Sequence, residues 1–147
     1  MITVVISTPE ENIMPGKNVK EILYSWDEFS QDLIVLAKRI EAQIIERSLR
    51  FDGVFGTPRG GLEVAIPMSH YFDLPFLAAP TSKSLVVEDI ADKGESLLHQ
   101  RTIGCFIATL YYHPQSLVVP DVWLRQKPKD TEEVEMWIRF PWEMRKG

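Results

Sequence analysis

The chain has 147 residues, and its 16 basic and 21 acidic side chains leave a formal charge of -5 with the histidines neutral. At 45% hydrophobic and 10% aromatic it can build a core, and its length suits one domain of about 100 to 200 residues. The acidic balance argues against broad phosphate-backbone binding. A single cysteine, Cys105, excludes an internal disulfide or a cysteine metal cluster, and no apolar run nears the roughly 20 residues that cross a bilayer.

The start, MITVVISTPEEN, is acidic where a signal peptide would be basic, so the expected location is the cytoplasm. Ser25 and Glu28 have capping-box spacing. After them Trp26, Phe29, Leu33, Leu36, Ala37, Ile40 and Ile44 share one helical face, which predicts a helix to about Arg50. FDGVFGTP reads as a short strand, and 62–71 as a helix containing Pro67. LPFLA and SLVVED read as strands, ESLLHQR as a short helix and IGCFIATLYY as a longer strand. Residues 114–128 are rich in proline but lead into WIRFPWE, too apolar for a tail, and so form an excursion within one domain. Alternating strands and helices predict an α/β fold with a mainly parallel central sheet flanked by helices. Ligands of such sheets bind beyond the carboxyl ends of the strands, where GTPRGG and EDIADKGES fall.

Residues 84–97, SLVVEDIADKGESL, carry the most chemistry. Leu85, Val86 and Val87 form a buried strand that ends in Glu88 and Asp89. Adjacent carboxylates there repel and lose hydration unless a cation or a hydroxyl-rich ligand balances them; a sugar diol with Mg²⁺ is such a ligand. Asp92, Lys93, Gly94, Glu95 and Ser96 then turn into a helix whose free amides, with the Ser96 hydroxyl, suit a phosphate. Alone, either the acidic pair or the glycine turn is better read as an acidic turn complementing a helix dipole. Their ordered combination after an apolar strand favours a ligand site.

Glu88-Asp89-Ile90-Ala91-Asp92-Lys93-Gly94-Glu95-Ser96 resembles the 5-phosphoribosyl 1-pyrophosphate (PRPP) motif of type I phosphoribosyltransferases, with Lys93 and Ser96 in place of the usual threonines. Thr57-Pro58-Arg59-Gly60-Gly61-Leu62 resembles their pyrophosphate loop, which often holds a cis non-proline peptide and points to the bond entering Arg59. ATLYYHP at 108–114, Val119-Pro120-Asp121 and WIRFPWE at 137–143 resemble the carboxyl-terminal part of the xanthine-guanine enzymes, and Ser25-Trp26-Asp27-Glu28-Phe29 resembles their amino-terminal helix. The resemblance spans about 25–143.

It implies a single domain, 1–147, with a hood formed mainly by 112–147 and part of 1–24. Arg59, Gly60, Gly61, Glu88, Asp89, Asp92, Lys93, Gly94, Glu95 and Ser96 would bind PRPP, Glu88 and Asp89 with Mg²⁺. Asp92 would be the catalytic acid or base. Trp137 would stack on the purine, the Ile138 backbone would read its edge, and His113 would stand where the family has a lysine on the 6-oxo group. Trp142 is better read as hood packing, Cys105 as a buried strand residue, and His70 and His99 as unrelated to the site. The implied activity is a purine phosphoribosyltransferase that converts guanine, xanthine or hypoxanthine with PRPP to the nucleoside 5'-monophosphate and pyrophosphate, working in purine salvage as a homodimer or higher oligomer without nucleic acid or membrane. The resemblance also implies a lid between the second and third core strands, for which Ala79-Pro80-Thr81-Ser82-Lys83 leaves little chain. A non-catalytic PRPP- or nucleotide-binding regulator therefore stands as the alternative, ahead of a repressor or a metal-dependent phosphatase.

Overall fold

A computed structural model describes residues 2–5 and 18–145. Two compact units emerge, Gln31–Gln126 and a smaller one made of Met1–Ser30 with Lys127–Gly147. The boundary falls inside helix α1 (Trp26–Arg47).

The larger unit is built on a four-stranded parallel sheet in the order β3 (Val54–Gly56), β4 (Leu85–Ala91), β5 (Phe106–Tyr112), β6 (Val122–Gln126). Helix α2 (Gly60–Phe72) follows β3 and packs on β3 and β4, and α3 (Glu95–Thr102) joins β4 to β5. Leu85, Val86 and Val87 are wholly buried, as expected of a strand covered on both faces. With Ala91, Leu97, Cys105, Ile107 and Val118, Val86 forms one apolar cluster, and full burial of each large aliphatic group stabilises the fold by about 1.5–3 kcal/mol. The α/β class with a mainly parallel sheet is thus observed.

The predicted helices appear with small shifts. The capping box is formed: the Glu28 amide donates to Ser25 Oγ at 3.1 Å and the Ser25 amide to Glu28 Oε1 at 3.2 Å. Helix α1 ends at Arg47 rather than about Arg50, because Ser48 turns left-handed (φ 53°) and Leu49 N–H bonds back to Ile44 O at 3.0 Å. LPFLA supplies only a single parallel bridge, Phe76 to Val54. Pro75 lacks an N–H and contributes only its carbonyl, which accepts from Val54 N–H. That bridge occupies the edge of β3 opposite β4, so the chain fills one side of β3 and then crosses to the other. The reversal makes the gap between β3 and β4 a topological switch point.

The smaller unit holds a three-stranded sheet in the order β1 (Ile2–Val5), β2 (Asn18–Leu23), β7 (Val134–Arg139), with β1 antiparallel and β7 parallel to β2. Glu21 is buried against Arg139 at 3.5 Å and Arg145. Trp142 stacks on Phe140 (5.1 Å between centroids) and meets Phe29 edge-on at 4.9 Å, the packing role expected of it. Residues 122–126 pair with β5 as β6, and the smaller unit resumes at Lys127. No described helix is long and apolar enough to cross a membrane.

Candidate active site

The switch point brings the two polar segments together. After β3, Pro58–Arg59 is a cis peptide, and α2 begins at Gly60 without a side-chain cap. Gly60 lies against the carboxylate of Asp89: a Cβ built on it would collide with Asp89 Oδ2 and stand 2.8 Å from Oδ1. Gly61 is equally constrained, since its Cβ would come 2.7 Å from Val87 O. Only glycines let this loop reach the end of β4. The arginine between proline and glycines, Arg59, keeps its side chain exposed.

Glu88 and Asp89 are both buried at the end of β4. Asp89 Oδ1 accepts from Ile90 N–H at 2.7 Å, and Glu88 Oε1 from Asp89 N–H at 3.3 Å. Burial first, then repulsion by Asp89 and a side-chain hydrogen bond with it, push the Glu88 carboxyl up to about 9; the Asp89 amide and the Thr57 hydroxyl oppose this weakly. Glu88 therefore holds a proton at neutral pH in the ligand-free protein. A divalent cation or a pair of ligand hydroxyls would reverse that state.

The donor set fits such a cation in part. Among the described residues no group of three or more His, Cys, Asp or Glu side chains could hold a metal, so Glu88 and Asp89 would share it with oxygens of a bound substrate. Mg²⁺ is commonly held in this way, by one or two carboxylates and phosphate oxygens.

Glu88 couples folding stability to pH. Folded at about 9 against 4.5 unfolded, the group contributes its full stabilisation below about 4.5 and loses it as pH rises to about 9. Glu88→Gln removes this titration. Thermal melts without ligand should show the variant gaining on the wild type by about 10–15 °C between pH 5 and pH 8.5; a pH-independent difference would contradict the buried, protonated state.

Beyond the acidic pair, Asp92 keeps 36% of its side chain exposed. Gly94 takes a left-handed conformation (φ 84°) as the residue before α3, and no side chain caps that helix start. Lys93, Glu95 and Ser96 are exposed around it, with the opening amides of α3 available to an anion. From β5, the chain returns through His113 to Ser116: His113 N–H donates to Ala91 O at 2.9 Å, Leu117 N–H to Lys93 O at 2.8 Å, and a Cβ on Gly94 would stand 2.5 Å from Ser116 Oγ.

The structure thus brings Gly60, Gly61, Glu88 and Asp89 into one contact zone, with Asp92, Lys93, Gly94, Glu95 and Ser96 following on the same chain end. His113 is buried, at 4% exposure, beside Asp92. Trp137, 41% exposed, and Ile138, buried, belong to the smaller unit, where Trp137 also donates a hydrogen bond to Glu143. Sequence reading missed the segment 113–118 as the brace of the 91–94 turn. It carries no motif of its own; only the Pro114 strand stop hinted at a turn there. Cys105 is buried, one residue before β5, and burial pushes its thiol up, consistent with an inert packing residue. His99 and His70 are exposed on α3 and α2.

No protein-family model matches the chain, and no curated protein does. Solved structures do. A purine phosphoribosyltransferase from Pyrococcus horikoshii OT3 is 24% identical with a TM-score of 0.66, covering 86% of this chain and 96% of that one. The xanthine-guanine-hypoxanthine phosphoribosyltransferase of Helicobacter pylori is 24% identical with a TM-score of 0.67, over 84% and 93%. A hypothetical protein from Neisseria gonorrhoeae with bound ppGpp is 14% identical with a TM-score of 0.62, over 84% and 89%. The chain has the type I phosphoribosyltransferase fold.

Proposed function

We propose that this protein is a Mg²⁺-dependent purine phosphoribosyltransferase of the cytoplasm, transferring ribose 5-phosphate from PRPP to a ring nitrogen of guanine, xanthine or hypoxanthine with release of pyrophosphate, as in purine salvage. The observation that carries the proposal is the buried Glu88–Asp89 pair packed against Gly60 at the switch point. Carboxylates buried without a cation favour protonation, and a ribose diol with a metal supplies what they lack.

In this reading Glu88 and Asp89 orient the ribose hydroxyls. Arg59 and the amides around Gly60 and Gly61 hold the pyrophosphate, and the α3 start from Gly94 to Ser96 holds the 5-phosphate, with Lys93 beside it. Mg²⁺ bound by Glu88, Asp89 and substrate oxygens would neutralise charge on the departing pyrophosphate. Asp92 takes or returns the base proton, and its negative charge favours the electron-poor sugar that forms as the glycosidic centre opens. On the base side, the exposed face of Trp137 suits stacking on a purine, and the Ile138 backbone suits its edge. The expected assembly is a homodimer or higher oligomer.

One observation favours a second reading. Where the resemblance implies a lid, the chain closes at once: Ser84 N–H donates to Thr81 O at 3.1 Å and Thr81 N–H to Ser84 Oγ at 2.7 Å, while Leu85 N–H bonds to Gly53 O at 3.0 Å before β3. This turn lies at the amino ends of the strands, away from Glu88 and Asp92. A regulator that binds PRPP or a nucleotide needs no lid, and one protein of the same fold is seen with ppGpp.

Pyrophosphate release from PRPP with each of guanine, xanthine, hypoxanthine and adenine, with and without Mg²⁺, separates the readings. Turnover with a 6-oxopurine that stops on chelation is the expected result. Saturable PRPP binding with no turnover on any base supports the regulator instead.

A further inference from the structure

His113 follows β5 as Asp92 follows β4, and these strands are hydrogen-bonded neighbours. The His113 amide is bonded to Ala91 O at 2.9 Å and the Leu117 amide to Lys93 O at 2.8 Å, so Asp92 sits between two tethered residues. Within that brace His113 Nδ1 lies 3.5 Å from Asp92 Oδ1. The ring is 4% exposed, and Nε2 is enclosed without a hydrogen-bond partner among the described residues. A nitrogen enclosed by protein does not meet the edge of a base, whereas the other nitrogen faces the carboxylate. A neutral imidazole carries one N–H, and the hydrogen bond made by one nitrogen fixes the role of the other.

We infer that His113 is the positioning residue of Asp92: it holds its N–H on Nδ1 toward the carboxylate and fixes the direction from which Asp92 meets the base proton, instead of reading the 6-oxo group itself. The inference rests on the phosphoribosyltransferase reading for the reaction Asp92 serves, but the pairing of the two side chains stands apart from it. The 3.5 Å separation is that of a ligand-free site; such contacts shorten when the substrate arrives.

Two side chains separate the roles, since the amide of Asn reaches about as far as His Nδ1 and that of Gln about as far as Nε2. His113→Ala should lower kcat by about 10²-fold through misplacement of Asp92, with KM for the base and the ranking of guanine, xanthine and hypoxanthine little changed. His113→Asn should recover most of the loss and His113→Gln should not. Recovery by Gln, or a changed base ranking with kcat preserved, overturns the inference in favour of direct base reading. Imidazole ¹⁵N shifts of the ligand-free protein supply a readout without activity: the Nδ1–H tautomer, altered in Asp92→Asn, is expected, and an Nε2–H tautomer indifferent to Asp92 overturns it. This arm needs no stable His113 variant. An inactive wild type with the Nδ1–H tautomer would refute the enzyme reading, and with it catalytic positioning, while leaving the pairing in place.

Discussion

Asp92→Asn is expected to lower kcat by about 10²- to 10⁴-fold, the usual contribution of a positioned acid or base, a loss far larger than any change in PRPP affinity by calorimetry. Asparagine keeps the volume and the hydrogen-bonding reach of the side chain, so the 91–94 turn, tethered at Ala91 and Lys93, should keep its shape. Asp92 is also distinguished from its neighbours by access. Glu88 and Asp89 are buried, whereas Asp92 retains 36% exposure and can reach a group that enters from solvent. Single-turnover assays with PRPP and guanine separate chemistry from product release and report the loss directly. A variant turning over within threefold of the wild type would remove Asp92 from the chemistry. A loss of PRPP affinity as large as the loss in kcat would instead assign it to substrate binding alone.

The acidic turn was legible because its signals are local. Apolar Leu85, Val86 and Val87, two acids, and a glycine before a helix are each read from adjacent residues, and the capping box of α1 depends on a three-residue spacing that the observed bonds reproduce. The elements that escaped are those whose environment comes from distant chain. NVKEIL at 18–23 looks too polar for a sheet, yet Glu21 is buried because Arg139 and Arg145 meet it. VWLRQ at 122–126 is obscured by Arg125, whose charge is matched by Asp32 at 2.7 Å. No local pattern announces either pairing. Conversely LPFLA has strand-like composition but little capacity to pair, with Pro75 removing an amide donor from its start. His113 shows the same limit at the site: no local pattern brings its ring beside Asp92, and the fold does.

Gly60→Ala should strongly weaken substrate binding. The added Cβ has no room, since the Asp89 carboxylate occupies its position, and neither party can move freely. Asp89 is held by the Ile90 amide at 2.7 Å, and Gly60 is flanked by Gly61, whose amide donates to Thr57 O at 2.8 Å and which abuts Val87 O. Overpacking of this kind costs about 1–3 kcal/mol, and here the strain falls on the contact between the 57–62 loop and the acidic pair. The expected result is a roughly 10- to 100-fold weaker PRPP affinity, about 1.4 kcal/mol per tenfold. Gly104→Ala provides the control. Gly104, unlike Gly60, is left-handed (φ 93°), and a Cβ there meets nothing within 4 Å, so the variant should lose about 1–2 kcal/mol of stability and bind PRPP as the wild type does. If Gly60→Ala binds PRPP normally, the ligand does not use this junction. If both glycine variants lose affinity in proportion to stability, the effect lies in the fold and not in the site.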